Sequence, residues 1–102
     1  MIMNERIDIT YLLDNLRALL PQLTEQYMVE SLGIFGSYIR HEQDLESDLD
    51  LLVTFHEVPG LLKFIELENY LTDVLGVKVD LIMRSALKPR IAKRILDEVV
   101  LV

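Results

Sequence analysis

The chain has no cysteine and no tryptophan, and it is sparing with the residues that punctuate or ligate: 3 prolines, 4 glycines and 2 histidines in 102 residues. Without cysteine there is neither a disulfide framework nor a thiolate metal site, which suits a reducing compartment. His41 and His56 form no His-x-His or His-x3-His pair, so they are expected at the surface or in packing rather than on a metal. No run approaches the ~18 consecutive apolar residues of a membrane span, and Met1 to Arg6 lacks the order of charge and apolar core of a signal peptide. A cytoplasmic protein with no membrane partner is expected. Basic residues are also short, 10 against 17 acidic for a net charge of −7, which argues against a surface that holds duplex nucleic acid.

A 51% hydrophobic fraction with 26% charged residues is that of a folded chain, and the length suits one domain, residues 1–102, with one core. Mean hydropathy is +0.28, high for a size at which roughly 35% of the unfolded surface stays exposed after folding. Some apolar surface is therefore expected to await a partner. Charge is uneven: residues 1–83 carry 5 basic and 15 acidic side chains, net −10, and residues 84–102 carry 5 basic and 2 acidic, net +3. Arg84, Lys88, Arg90, Lys93 and Arg94 read as a solvated helix face, or as an attractor for a triphosphate or an acidic partner.

Ile9, Leu12, Leu13, Leu16, Leu19 and Leu20 recur at helical spacing, with Asp8 or Thr10 placed to cap. Pro21 is expected to kink this helix or open a further turn, with helical pattern resuming to Tyr27. Ser31 to Phe35 reads as a buried strand ending at Gly36-Ser37, and Tyr38 to Gln43 as a short helix. Asp48 to Phe55 alternates as a strand with Leu49, Leu51, Val53 and Phe55 on one face. Leu61 to Leu75 is a leucine-rich helix with Gly76 at a left-handed C-terminal cap, its apolar stripe assigned to the core. Val77 to Ile82 is a strand with Asp80 facing away from Val77, Val79 and Leu81. Ala86 to Glu98 is a helix opened near Pro89, and Val99 to Val102 is a terminal strand or helix end.

Aspartate is depleted in strands and an unpaired buried carboxylate is costly, so three of them in two apolar strands call for a reason. On a strand, Asp48 and Asp50 point the same way with Cα atoms ~6.6 Å apart, near enough to share a hard cation. Asp80 completes a cluster if its strand lies beside theirs. Mutual repulsion would raise their pKa values, and one or two Mg²⁺ ions would relieve it while leaving positions for phosphate oxygens. From spacing alone, the exposed polar face of an edge strand accounts for Asp-x-Asp equally well. Gly36-Ser37 stands where a strand passes into a helix, a place for a phosphate on free backbone N–H groups. The Ser37 hydroxyl either caps that helix or donates to the phosphate. Neither a Walker loop nor a dinucleotide-binding Gly-x-Gly-x-x-Gly occurs.

Taken together, Gly36-Ser37-Tyr38-Ile39-Arg40, Ser47-Asp48-Leu49-Asp50-Leu51-Leu52-Val53 and Val79-Asp80-Leu81-Ile82 resemble the DNA polymerase β-like nucleotidyltransferase superfamily, and within it the minimal nucleotidyltransferase (MNT) branch. The resemblance implies an α/β (α+β) fold, a small mixed β-sheet backed by helices, over about the whole chain. It implies Asp48, Asp50 and Asp80 as catalytic metal ligands, with Asp80 helping to deprotonate the acceptor hydroxyl. Gly36 and Ser37 would bind the triphosphate, Ser47 would support the loop before the metal strand, and Arg40 would compensate charge or contact phosphate, or else sit in a surface salt bridge. The implied cofactor is Mg²⁺, two ions, with ATP as substrate. Branch members commonly read Gly-Ser-x-Ala-Arg-Gly, where this chain has Ile39 and His41, so the loop near the phosphates is where its geometry should depart.

MNT proteins resemble antitoxins of toxin–antitoxin pairs. The resemblance thus implies an enzyme that transfers AMP to a tyrosine of a HEPN-domain toxin, in a hetero-oligomer with it. The alternative is a non-catalytic antitoxin that neutralises its partner by covering it.

Overall fold

The computed structural model describes residues 8–102; the reading of Met1 to Arg6 lies outside them. Helix α1 spans Ile9–Tyr27, and the Asp8 carboxylate accepts from the Thr10 N–H at 2.9 Å, the cap expected at that end. It buries Leu12, Leu16, Leu23 and Tyr27. The helix continues past Pro21 because buried leucines on both sides of it hold the two halves to one core. Met28 ends it in the left-handed region at φ 61°.

Strand β1 (Val29–Phe35) pairs antiparallel with β2 (Leu49–Phe55), which pairs parallel with β3 (Val79–Met83). The parallel step is bridged by helix α2 (Leu61–Leu75), as such a crossover requires. Gly76 caps α2 at φ 72°, as its place in the sequence predicts. Helix α3 (Pro89–Glu98), with proline in its first turn, leads into β4 (Val100–Leu101), which pairs antiparallel with β1. The sheet order is β3-β2-β1-β4, a mixed α+β sheet of the kind implied. The chain's last residues are thus a strand rather than a helix end.

Leu32, Ile34, Leu49, Leu51, Val53, Val79 and Leu81 form the main core with the leucines of α1 and α2. A smaller cluster of Phe35, Leu52 and Ile95 seats α3 on the opposite face. The α2 stripe is only partly core: Leu67, Leu71 and Leu75 are buried, whereas Leu61 and Leu62 are 73% and 84% exposed and Ile65 and Val74 are also exposed. That corrects the reading of the whole stripe as core, because only the side of α2 that carries Leu67, Leu71 and Leu75 turns to the core, and it locates apolar surface of the sort that the hydropathy foreshadows. β3 is an edge strand, and α2 shields two of its amides: the Val79 N–H donates to Thr72 Oγ1 at 3.0 Å and the Leu81 N–H to Glu68 Oε2 at 2.8 Å.

Candidate active site

The parallel register places Asp50 directly opposite Asp80, so their Cα atoms stand about 4.8 Å apart on neighbouring strands. Asp48 precedes β2 by one residue and continues the alternation that puts Asp50 on the face away from α1 and α2. β2 has β1 on one side and β3 on the other. The polar face of an edge strand therefore does not account for Asp50, which sits mid-sheet and half-buried. Burial first, then the Asp80 and Asp48 carboxylates, push the Asp50 carboxyl from 3.8 up to about 6, against the pull of Arg40. No group of three His, Cys, Asp or Glu already converges to hold a metal ion among the described residues. The three aspartates line the site without closing on a point. That all-carboxylate oxygen set fits Mg²⁺, which uses one or two carboxylates and completes its shell with water and phosphate oxygens.

At the end of β1, Gly36 adopts φ 83°, and a Cβ there would run into the Asp50 carboxylate. Glycine is needed twice over, for the left-handed turn and for the close approach. The next residues correct the expected Tyr38 to Gln43 helix: Gly36–Tyr38 form one turn of 3-10 helix, and His41 then takes φ 57°. Left-handed residues at both ends leave no room for an α-helix between them. His41 thus adopts the conformation that the branch's second glycine would take freely, at a cost of order 1 kcal/mol. Ile39 packs against the main core. The Ser37 hydroxyl caps nothing, since the 3-10 turn has no side-chain cap. What stands there instead is backbone, with the Ser37 carbonyl accepting from the Glu42 N–H at 2.9 Å.

Ser47 organises the loop before β2. Its Oγ accepts from the Asp44 N–H at 2.9 Å and donates to Asp44 Oδ1 at 3.3 Å, while Asp44 Oδ1 also accepts from the Glu46 N–H at 2.8 Å. Arg40 is committed to carboxylates, with Nε 3.0 Å from Glu42 and Nη1 2.7 Å from Glu98. Glu98, which sequence reasoning missed, also accepts the Gly36 N–H at 2.8 Å. That backbone hydrogen bond, and then Arg40, hold its carboxyl below the ordinary range, outweighing its partial desolvation. The one signal available for it was an acid at a helix C-terminus, where the helix dipole disfavours negative charge.

Two hollows border the carboxylates. One, of about 200 Å³, is lined by Phe35, Gly36, Arg40, Asp50, Arg94 and Glu98 among others. The second, of about 370 Å³, lies between the 43–48 loop and the Gly76–Lys78 turn, with Tyr38 and Asp48 in its wall. Of the basic residues near the C-terminus, Arg94 reaches the first hollow. No helix among the described residues is long and apolar enough to cross a membrane.

The nucleotidyltransferase domain family model matches residues 13–102, a span that holds the Gly-Ser turn ending β1, the carboxylates in register on β2 and β3 and the four-strand mixed sheet. The chain belongs to the nucleotidyltransferase domain family. Protein adenylyltransferase MntA of Thermococcus cleftensis is 56% identical over 81 residues, covering 79% of this chain and 82% of that protein. A solved structure described as a minimal nucleotidyltransferase is 34% identical and superposes with a TM-score of 0.79 over 95% of this chain and 98% of its own. The fold is shared more distantly with a chain of the complex between tri-AMPylated Shewanella oneidensis HEPN toxin and MNT antitoxin: TM-score 0.64, 16% identity, 89% of this chain and 70% of that one.

Proposed function

We propose that this nucleotidyltransferase is a protein adenylyltransferase that moves AMP from ATP to a tyrosine hydroxyl of a HEPN-domain toxin, as the antitoxin of the pair. The observation that carries the reading is Asp50 opposite Asp80 across the parallel β2–β3 pair, with Asp48 on the same face. Support for the donor and acceptor comes from the Thermococcus cleftensis relative, a protein adenylyltransferase, and from the AMPylated HEPN toxin in the complex of which one chain shares the fold.

In this reading Asp48 and Asp50 hold Mg²⁺, and Asp80 joins them. The bound metal would neutralise the triphosphate and help the leaving group depart. Gly36 and Ser37 receive the phosphates at the turn that ends β1, and Ser47 keeps Asp48 in place through the Asp44 loop. The tyrosine oxygen attacks the α-phosphorus in line; the new P–O bond forms as the α–β anhydride bond breaks, and its electron pair leaves with pyrophosphate. A tyrosine of pKa ~10 must lose its proton, and in this reading Asp80 takes it.

Mass spectrometry of a co-expressed HEPN partner tests this. A tyrosine carrying AMP is expected with the wild type and none with Asp48→Ala/Asp50→Ala. A partner left unmodified yet neutralised equally by both forms would instead support neutralisation by covering, for which the exposed Leu61, Leu62 and Ile65 are available surface.

A further inference from the structure

Glu98 is the last residue of α3, where a carboxylate is disfavoured by the helix dipole. Both of its oxygens are nevertheless used, Oε2 by the Gly36 N–H at 2.8 Å and Oε1 by Arg40 Nη1 at 2.7 Å. Of the two acids on Arg40 it is the sheltered one, 22% exposed against 63% for Glu42. The chain is fixed on either side of it. α3 is seated by Ile95, and two residues later Val100 pairs with Ile34 of β1. β1 and the C-terminal segment are so close that a Cβ on Gly33 would run into the Val99 side chain.

For this carboxylate to swing aside, the hydrogen bond from the Gly36 N–H and the ion pair with Arg40 would both have to be given up. It is well placed to hold still what it touches. Gly36 is the residue whose missing Cβ makes room for Asp50, and Arg40 leaves the same turn. One side chain thereby ties the phosphate loop to α3, across a separation of 62 residues in sequence.

We propose that Glu98 is a positioning residue for the nucleotide: it sets the Gly36 amide and the Arg40 guanidinium so that the loop meets a triphosphate beside Asp50. The inference rests on the nucleotidyltransferase reading above. It acts through Gly36 and Arg40, and Glu98 itself contacts no phosphate.

Calorimetry with Mg²⁺ and AMP-PNP, a non-hydrolysable ATP analogue, tests it on wild type, Glu98→Ala and Glu98→Gln. Glu98→Ala should weaken affinity per folded molecule roughly 10-fold, and Glu98→Gln, which still accepts from the Gly36 N–H, about 3-fold. The Gly36 amide resonance of the free protein should move in Glu98→Ala and far less in Glu98→Gln. Should Glu98→Ala not fold, Glu98→Gln carries the test alone. Affinity unchanged or tighter in folded variants, with only the melting temperature lowered, would overturn the proposal and leave Glu98 a structural tie. A wild type that does not bind Mg²⁺ and AMP-PNP would fail the underlying reading as well, so the two failures are told apart by the wild type.

Discussion

On the face of the sheet covered by α1 and α2, Leu49, Leu51, Val53, Val79 and Leu81 are at most 4% exposed. On the other face the intervening residues of the same strands are Asp50, Leu52, Thr54, Asp80 and Ile82, and the cluster that seats α3 covers the part near Phe35, Leu52 and Ile82. Period-two alternation lets one pair of strands serve both, since each change of residue parity moves a side chain from core to site. The covered face supplies stability through burial. The open face carries charge that works against stability, which is the common division between a scaffold and the site it holds.

That contrast can be broken from either side. The largest effect belongs to the covered face: Leu51→Ala should cost about 3 kcal/mol in denaturant unfolding, while folded molecules keep their nucleotide affinity. Next is the boundary between the faces. Gly36→Ala forces a left-handed alanine against the Asp50 carboxylate and should lower stability by roughly 2 kcal/mol. It should also abolish adenylyl transfer to a HEPN partner in a radiolabelled-ATP assay, whereas Leu51→Ala should not.

A smaller effect comes from Asp50 itself and has the opposite sign. Its carboxyl rises from 3.8 to about 6 on folding, so between those values the folded state holds more proton than the unfolded one, and stability falls as pH rises through that window. Below about 4 the penalty is absent, and above about 6 it is complete. Asp50→Asn should therefore flatten the pH profile of the metal-free protein and raise its stability at pH 7 by about 1–2 kcal/mol, allowing for partial solvent screening. Thermal melts across pH 4 to 7 check this, and an Asn variant with the wild-type slope would assign the shift elsewhere.

Much of this contrast was legible in sequence. Alternation fixed which residues of β2 and β3 share a face, and Asp-x-Asp with a later aspartate marked the open one. Gly76 and Pro89 marked helix ends because each satisfies a local backbone demand. What stayed hidden was set over long range or by backbone sign. The Tyr38 to Gln43 helix failed because His41 takes a left-handed angle that nothing in its side chain announces. The partnership of Arg40 and Glu98 spans 58 residues, and the exposure of Leu61 and Leu62 depends on which side of α2 meets the sheet.

The carboxylate face of β2 and β3 is expected to be a metal-dependent nucleotide site, and direct titration of Mg²⁺ and ATP into the protein tests this most simply. Wild type should bind ATP with Mg²⁺ present and much more weakly without it, and Asp48→Ala/Asp50→Ala should lose at least about 10-fold in affinity while remaining folded. Equal binding by wild type and the folded double variant, or binding indifferent to Mg²⁺, would contradict it.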